Sequence, residues 1–172
     1  VTGPAKILIS ACLLGHRVRY DGRASQVPEG SREIMSRWRT EGRLVVVCPE
    51  VAAGFGTPRS PAEIVGGPGR TVLAGSAAVV EAGGADVTEQ FRRGAEIALR
   101  LVESQGVRVA LLKEKSPSCG SGRIYDGSFG GVTLTGAGVT TALLREHGVT
   151  VFNEDQAAEA DLLLRGLDPA SV

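Results

Sequence analysis

Three cysteines, Cys12, Cys48 and Cys119, are the residues of this 172-residue chain whose type and spacing promise chemistry. Thiolates are strong nucleophiles and soft metal ligands. Three is an odd number for a disulfide framework. The thiols are therefore buried filler, catalytic groups or metal ligands. A lone free cysteine often serves as a small hydrophobe, but three at the ends of apolar runs, each in a stretch with Gly or Pro loop chemistry close by, favour a site. Thiolates select zinc, Cu(I) or iron–sulfur clusters. A structural zinc site wants four ligands, commonly in close C-x-x-C pairs, and no such pair exists here. His16 or His147 could complete a Cys₃His set. His147, just before Gly148, reads better as a charge at a helix C-terminus, and His16 lies in a polar loop. A [4Fe–4S] cluster normally takes four thiolates; three leave one iron open, and an open position distinguishes a catalytic metal from a structural one.

The neighbours of these cysteines carry the other candidates. Cys48-Pro49-Glu50 sets a carboxylate two residues beyond a presumed ligand, as a general acid/base tuned by its surroundings or as a solvated loop residue. The loop 54–64 follows, stiffened by Pro58 and Pro61. In it, Arg59 and Ser60 are candidates for substrate binding. Arg59 offers a planar fork to a carbonyl or anion, or pairs with Glu63. Lys113-Glu114-Lys115-Ser116-Pro117-Ser118-Cys119-Gly120 gathers donors around the third cysteine. Its lysines would favour a thiolate, Ser116 or Ser118 would donate to sulfur or substrate, and Glu114 is the reserve base. Gly120-Ser121-Gly122 permits close backbone approach, but no Gly-x-Gly-x-x-Gly opens a helix, so a dinucleotide site is not expected.

Positioning falls to an α/β scaffold. Apolar, β-branched runs at 7–9, 44–47, 107–112 and 149–152 suit strands buried on both faces of a parallel sheet. Helical patterns lie between them at 31–41, with Ser31 as N-cap, at 88–105 and at 139–147. Strand–helix alternation indicates one domain over 1–172, a mostly parallel, Rossmann-like sheet flanked by helices. A short antiparallel excursion is expected from 71–74 and 77–81, a tight turn at 66–69, and no regular element across 120–138. In open parallel sheets ligands bind beyond the carboxyl ends of the strands, and Cys12, Cys48 and Cys119 each follow a strand there.

Composition sets outer limits. Hydrophobic residues make up 42% and charged residues 22%, as in globular proteins, and aromatics only 4%, so aliphatic side chains must fill the core. Lys+Arg and Asp+Glu balance at 19 each, which argues against a nucleic-acid coat or a polybasic membrane surface. No apolar run approaches the ~20 residues of a membrane span. The start, 1–6, shows no signal peptide. The expected address is the cytoplasm, where cysteines stay reduced.

Taken together, Ser10-Ala11-Cys12-Leu13-Leu14-Gly15, Arg19-Tyr20-Asp21-Gly22, Cys48-Pro49-Glu50, the 54–64 loop, 112–120 and Gly138-Val139-Thr140-Thr141-Ala142-Leu143-Leu144 resemble the thiouracil desulfidase family, over nearly the whole chain. The resemblance implies a [4Fe–4S] cluster held by Cys12, Cys48 and Cys119, with the fourth iron taking the sulfur removed from a thiolated base. It also implies a catalytic Glu, which falls on Glu50, and a catalytic Ser, at Ser116 or Ser118. The expected reaction is non-redox desulfuration of a 2-thiouracil-like pyrimidine to the oxo base and hydrogen sulfide. A Cys₃ zinc hydrolase and a non-catalytic iron–sulfur sensor are the competing expectations.

Overall fold

Strand β1 (Ile7–Ser10) builds the centre of the molecule. Successive side chains of a strand point to opposite faces, and all four here are buried. Ile7 and Ile9 enter one core with Met35, Trp38 and Leu164, while Leu8 enters a second with Val102, Ala110 and Leu144. The computed structural model describes residues 3–170; the leader reading at Val1 and Thr2 and the tail at Ser171 and Val172 lie outside the described residues.

β1 pairs in parallel with β2 (Leu44–Val47) on one side and β5 (Val109–Leu112) on the other, and β8 (Thr150–Asn153) completes the order β2-β1-β5-β8. β5 is buried throughout like β1, whereas β2 and β8 at the edges are half-buried. Helices α1 (Glu29–Thr40) and α6 (Ala157–Gly166) supply the first core; α4 (Thr88–Gln105) and α5 (Val139–Glu146) supply the second. The expected α/β class and parallel sheet are therefore present. None of the helices is long and apolar enough to cross a membrane among the described residues.

The chain leaves β1 toward β2 and leaves β5 toward β8, in opposite directions along the sheet. The carboxyl ends of β1 and β5 thus flank a switch point, where this architecture opens a crevice.

Three expectations need correction. The first helix begins at Glu29 with Pro28 as its N-cap, and Ser31 lies buried in the first turn. Residues 71–74 are not a strand. Gly66 and Gly67 turn the chain with positive φ, Pro68 caps helix α3 (Gly69–Leu73), and this helix buries Val72. The strand that pairs with β4 (Ala78–Glu81) is instead β3 (Ala62–Val65), antiparallel. The Gly-rich stretch 120–138 contains a hairpin of β6 (Arg123–Tyr125) and β7 (Thr133–Thr135). Helix α6 had no sequence expectation.

Backbone packs directly on backbone where the hairpin region ends. Gly138 N–H donates to the Gly120 carbonyl at 2.8 Å and Thr140 N–H to the Ser118 carbonyl at 2.9 Å. A Cβ on Gly138 would stand 2.5 Å from the carbonyl of Ser118, and one on Gly69 would stand 2.3 Å from the oxygen of Gly138. The starts of α3 and α5 and the loop carrying Cys119 therefore form one stack that only glycine permits.

Candidate metal centre and active site

Each cysteine is set by a different local device. Cys12 sits in a 3₁₀ turn (Ala11–Leu14) that continues straight from β1 and ends at Gly15 in the left-handed conformation. Cys48 is the N-cap of helix α2 (Pro49–Ala52), with Pro49 at the first helical position, where its fixed φ suits the helix. Cys119 follows β5 on a loop tied by Ser116, whose Oγ accepts the N–H groups of Ser118 and Cys119 at 3.1 Å each. Ser10 joins the two central strands at the floor: its hydroxyl accepts the Lys113 N–H at 3.0 Å.

All three thiols are free and line one cavity of about 400 Å³, together with Glu50, Arg59, Ser60, Glu63, Lys113 and Ser116. Cys12 and Cys119 are buried and Cys48 is half-buried. Burial pushes all three thiols above the ordinary thiol range. Ser25 opposes this at Cys12 and the Val51 and Glu50 N–H groups oppose it at Cys48. At Cys119 the negative charges of Cys48, Glu50 and Cys12 add to burial, and the Ser118 hydroxyl opposes it. Three thiolates in so confined a space repel one another. A multivalent cationic centre removes that repulsion and displaces the protons, so this donor set fits a soft metal group. No three His, Cys, Asp or Glu side chains close around a single ion-sized point among the described residues. His16 is exposed and absent from the cavity wall, and His147 is exposed, with Nδ1 3.0 Å from the Leu143 carbonyl at the end of α5. Neither supplies the fourth ligand of a Cys₃His zinc site.

Glu50 is no solvated loop residue. Its Oε2 accepts Arg59 Nε and pairs with Arg59 Nη2, both at 2.7 Å. Oε1 has no hydrogen-bond partner among the described residues and belongs to a side chain on the cavity wall. Arg59 does not pair with Glu63, and it is not an open fork for substrate. Its Nη1 donates to the carbonyls of Val18 and Gly56 at 3.0 and 3.1 Å, and the side chain is 9% exposed. Its donors are committed to holding Glu50. Glycine enters here too: a Cβ on Gly94 would lie 2.6 Å from the Pro49 oxygen, so α4 rests directly on the short helix that carries Glu50. Ser60 is exposed at the cavity edge.

The two serines part company. Ser116 lines the cavity; two N–H groups occupy the lone pairs of its oxygen, which leaves its O–H free to donate. Ser118 is 1% exposed, lies outside the cavity wall, and shares a hydrogen bond of 2.7 Å with Thr140 Oγ1.

The charged pair of the third loop also differs from expectation. Lys113 is matched by an ion pair with Glu154, so its pull on the thiolates is largely offset, and Lys115 is exposed. Glu114 is not poised as a base. Oε1 accepts N–H groups of Lys115, Ser121, Gly122 and Arg123, and Oε2 accepts Asn153 Nδ2 at 2.9 Å. Burial works against its ionisation, but the Gly122, Lys115 and Arg123 N–H groups and Asn153 outweigh it and hold the carboxyl below the usual range.

The 2-thiouracil desulfurase family matches residues 7–156, which is most of the chain. The chain belongs to the 2-thiouracil desulfurase family. Among its relatives, the uncharacterized protein YbbK of Bacillus subtilis (strain 168) is 45% identical over 150 residues, covering 87% of this chain and 96% of that protein. A solved structure of the [4Fe-4S]-dependent thiouracil desulfidase TudS is 51% identical and superposes with a TM-score of 0.84, covering 95% of this chain and 99% of that one. The residues around the cavity and its cysteines that sequence reasoning missed are Ser10, Ser25, Glu154, Tyr125 and Phe129. Phe129, with Lys115, is one of two non-glycine residues with positive φ among the described residues, and both line the cavity. Strained backbone of this kind gathers at functional sites, but no sequence signal marks it in a Phe or a Lys.

Proposed function

We propose that this single domain removes the sulfur of a thiolated pyrimidine of the 2-thiouracil kind, with Cys12, Cys48 and Cys119 holding a [4Fe–4S] cluster. The observation that carries the reading is the shared cavity: three thiols at the sheet's switch point face a carboxylate with one oxygen unengaged. Exchanging C=S for C=O consumes one water and releases hydrogen sulfide, so no electrons are gained or lost. When bound, the cluster supplies a Lewis-acidic iron that three cysteines leave open to the thiocarbonyl sulfur.

The chain does the rest. Glu50 Oε1 takes a proton from the attacking water, the role of a general base within hydrogen-bond reach. Arg59 fixes the angle of that carboxylate by binding its other oxygen twice. The free O–H of Ser116 donates to the base or to the departing sulfur. Ser60 at the rim contacts the substrate. The pocket suits a small thiolated base as partner. Reduced thiols suit the cytoplasm.

The test is anaerobic reconstitution with iron and sulfide, metal analysis, and incubation with 2-thiouracil. Sulfur-to-iron charge-transfer absorption together with stoichiometric sulfide and uracil is the expected result. A zinc-loaded, colourless protein, or an intact cluster that releases no sulfide from any thiolated pyrimidine, would overturn it.

A further inference from the structure

The loop after Cys12 folds back on it. Ser25 N–H donates to the Cys12 carbonyl at 2.9 Å, which pins Ser25 beside the cysteine. The Ser25 hydroxyl oxygen is sealed from solvent without a hydrogen-bond partner, and among the described residues no other side-chain nitrogen or oxygen is in that position. Buried polar groups are nearly always matched, so an orphan asks for an explanation. The Cys12 thiol stands next to it. A protonated thiol is a weak acceptor, whereas a thiolate is a far stronger one.

We infer that Ser25 is a positioning residue for the cluster, its hydroxyl donating to the Cys12 thiolate once that sulfur becomes an iron ligand. This rests on the cluster reading above. It completes a pattern in which each sulfur is met by a donor of its own. Cys48 faces the Val51 and Glu50 N–H groups. Cys119 faces the Ser118 hydroxyl, which Thr140 holds in place. Ser25 differs from those donors in having no second partner in the protein. Its removal therefore reads the sulfur contact alone. Hydrogen bonds to ligand sulfur draw electron density from a cluster and set its reduction potential, and partners of the ligands hold them in place.

The experiment compares wild type, Ser25→Ala and Ser25→Thr as reconstituted, full-length holoproteins under anaerobic conditions. The cluster potential is read by spectroelectrochemistry, iron loss by a chelator assay, and the thermal midpoint is taken on the apoproteins. Ser25→Ala should shift the potential more negative and lose iron about 10-fold faster. Its apoprotein should melt at the wild-type temperature or above, because an unmatched polar atom has gone. Ser25→Thr should restore potential and iron retention. Equal potential and equal iron loss in Ser25→Ala and wild type, both loaded, would overturn the inference alone. So would an apoprotein midpoint lowered as far as the holoprotein's, which would make the hydroxyl a plain structural contact. A wild type that takes up no cluster would overturn the cluster reading and this inference together.

Discussion

Arg59 grips Glu50 through one carboxylate oxygen only: Nε and Nη2 both reach Oε2 at 2.7 Å. The pair divides labour between an anchored oxygen and a working one. Glu50→Gln keeps the shape and loses the proton acceptor. Cluster content and binding of the thiolated base should persist, while turnover falls ~10²–10⁴-fold, as for a lost general base. Arg59→Lys keeps a charge but not the fork, and should lower kcat by roughly 10²-fold through misplacement, with iron content unchanged. Steady-state kinetics alongside iron analysis checks both, and a Glu50→Gln protein of normal turnover would move the base role elsewhere.

Replacing any one of Cys12, Cys48 or Cys119 with Ser should abolish iron uptake and sulfide release together, since a hard hydroxyl replaces a soft thiolate. Iron and sulfide analysis after reconstitution decides the matter; a variant with full iron and full rate would leave the ligand set.

The two serines of the third loop should separate by phenotype. Ser116→Ala removes both the free O–H at the cavity and the acceptor for two N–H groups, so turnover should drop by about 10² or more. Ser118→Ala loses a buried bond to Thr140, which costs about 1 kcal/mol of stability, and the donor at Cys119; it should retain iron less well, while the loaded protein turns over near the wild-type rate. The reverse ranking would put the catalytic serine at Ser118.

Far from the cavity, Arg43 and Asp168 make a two-pronged pair, Nη1–Oδ1 at 2.7 Å and Nη2–Oδ2 at 2.8 Å, and Ala5 N–H adds a third bond. The Arg43 guanidinium first, and Ala5 second, hold the Asp168 carboxyl down to about 2. A depressed pKa contributes stability that is complete above the unfolded value and lost as pH falls through the folded one. A shift of this size is worth roughly 2.6 kcal/mol in full, and about 1–2 after discounting for a partly open carboxylate. Asp168→Asn should therefore be less stable by about that amount at pH 7, and the gap should close as pH falls from 3.8 toward 2. Denaturant melts across that range measure it.

Much of the scaffold was legible because its signals are strong. β1 and β5, buried on both faces, read as apolar runs, and the α4 helix ends at Gly106 in the left-handed conformation, as its sequence suggests. What escaped was short or masked. Four- and five-residue helices such as α2 and α3 hold too few turns to show a period, and the β-branched Thr71-Val72 imitates a strand. In α6 three consecutive leucines hide the stripe, since Leu164 is buried while Leu162 and Leu163 reach solvent. At the site, the meeting of the three cysteines on one cavity followed from the strand ends. The choice of Glu50 over Glu63 by Arg59 did not, because both carboxylates lie close in sequence and only the fold of the 54–64 loop selects one.

The glycine stack has a consequence for how this protein can change over generations. Gly69 and Gly138 leave no room for even a methyl group, and the backbone each would strike belongs to the other or to the Cys119 loop. A single replacement at either position must move backbone, directly at Gly138 and one contact removed at Gly69, that packs on the Cys119 loop. The adjoining hairpin is confined at Gly127, where a Cβ would stand 2.7 Å from the Ile64 oxygen, but beyond it Phe129, Val132 and Leu134 stand partly in solvent, and Phe129 also borders the cavity. Variation at Phe129 can reshape the rim of the cavity while the loop that places Cys119 keeps its shape.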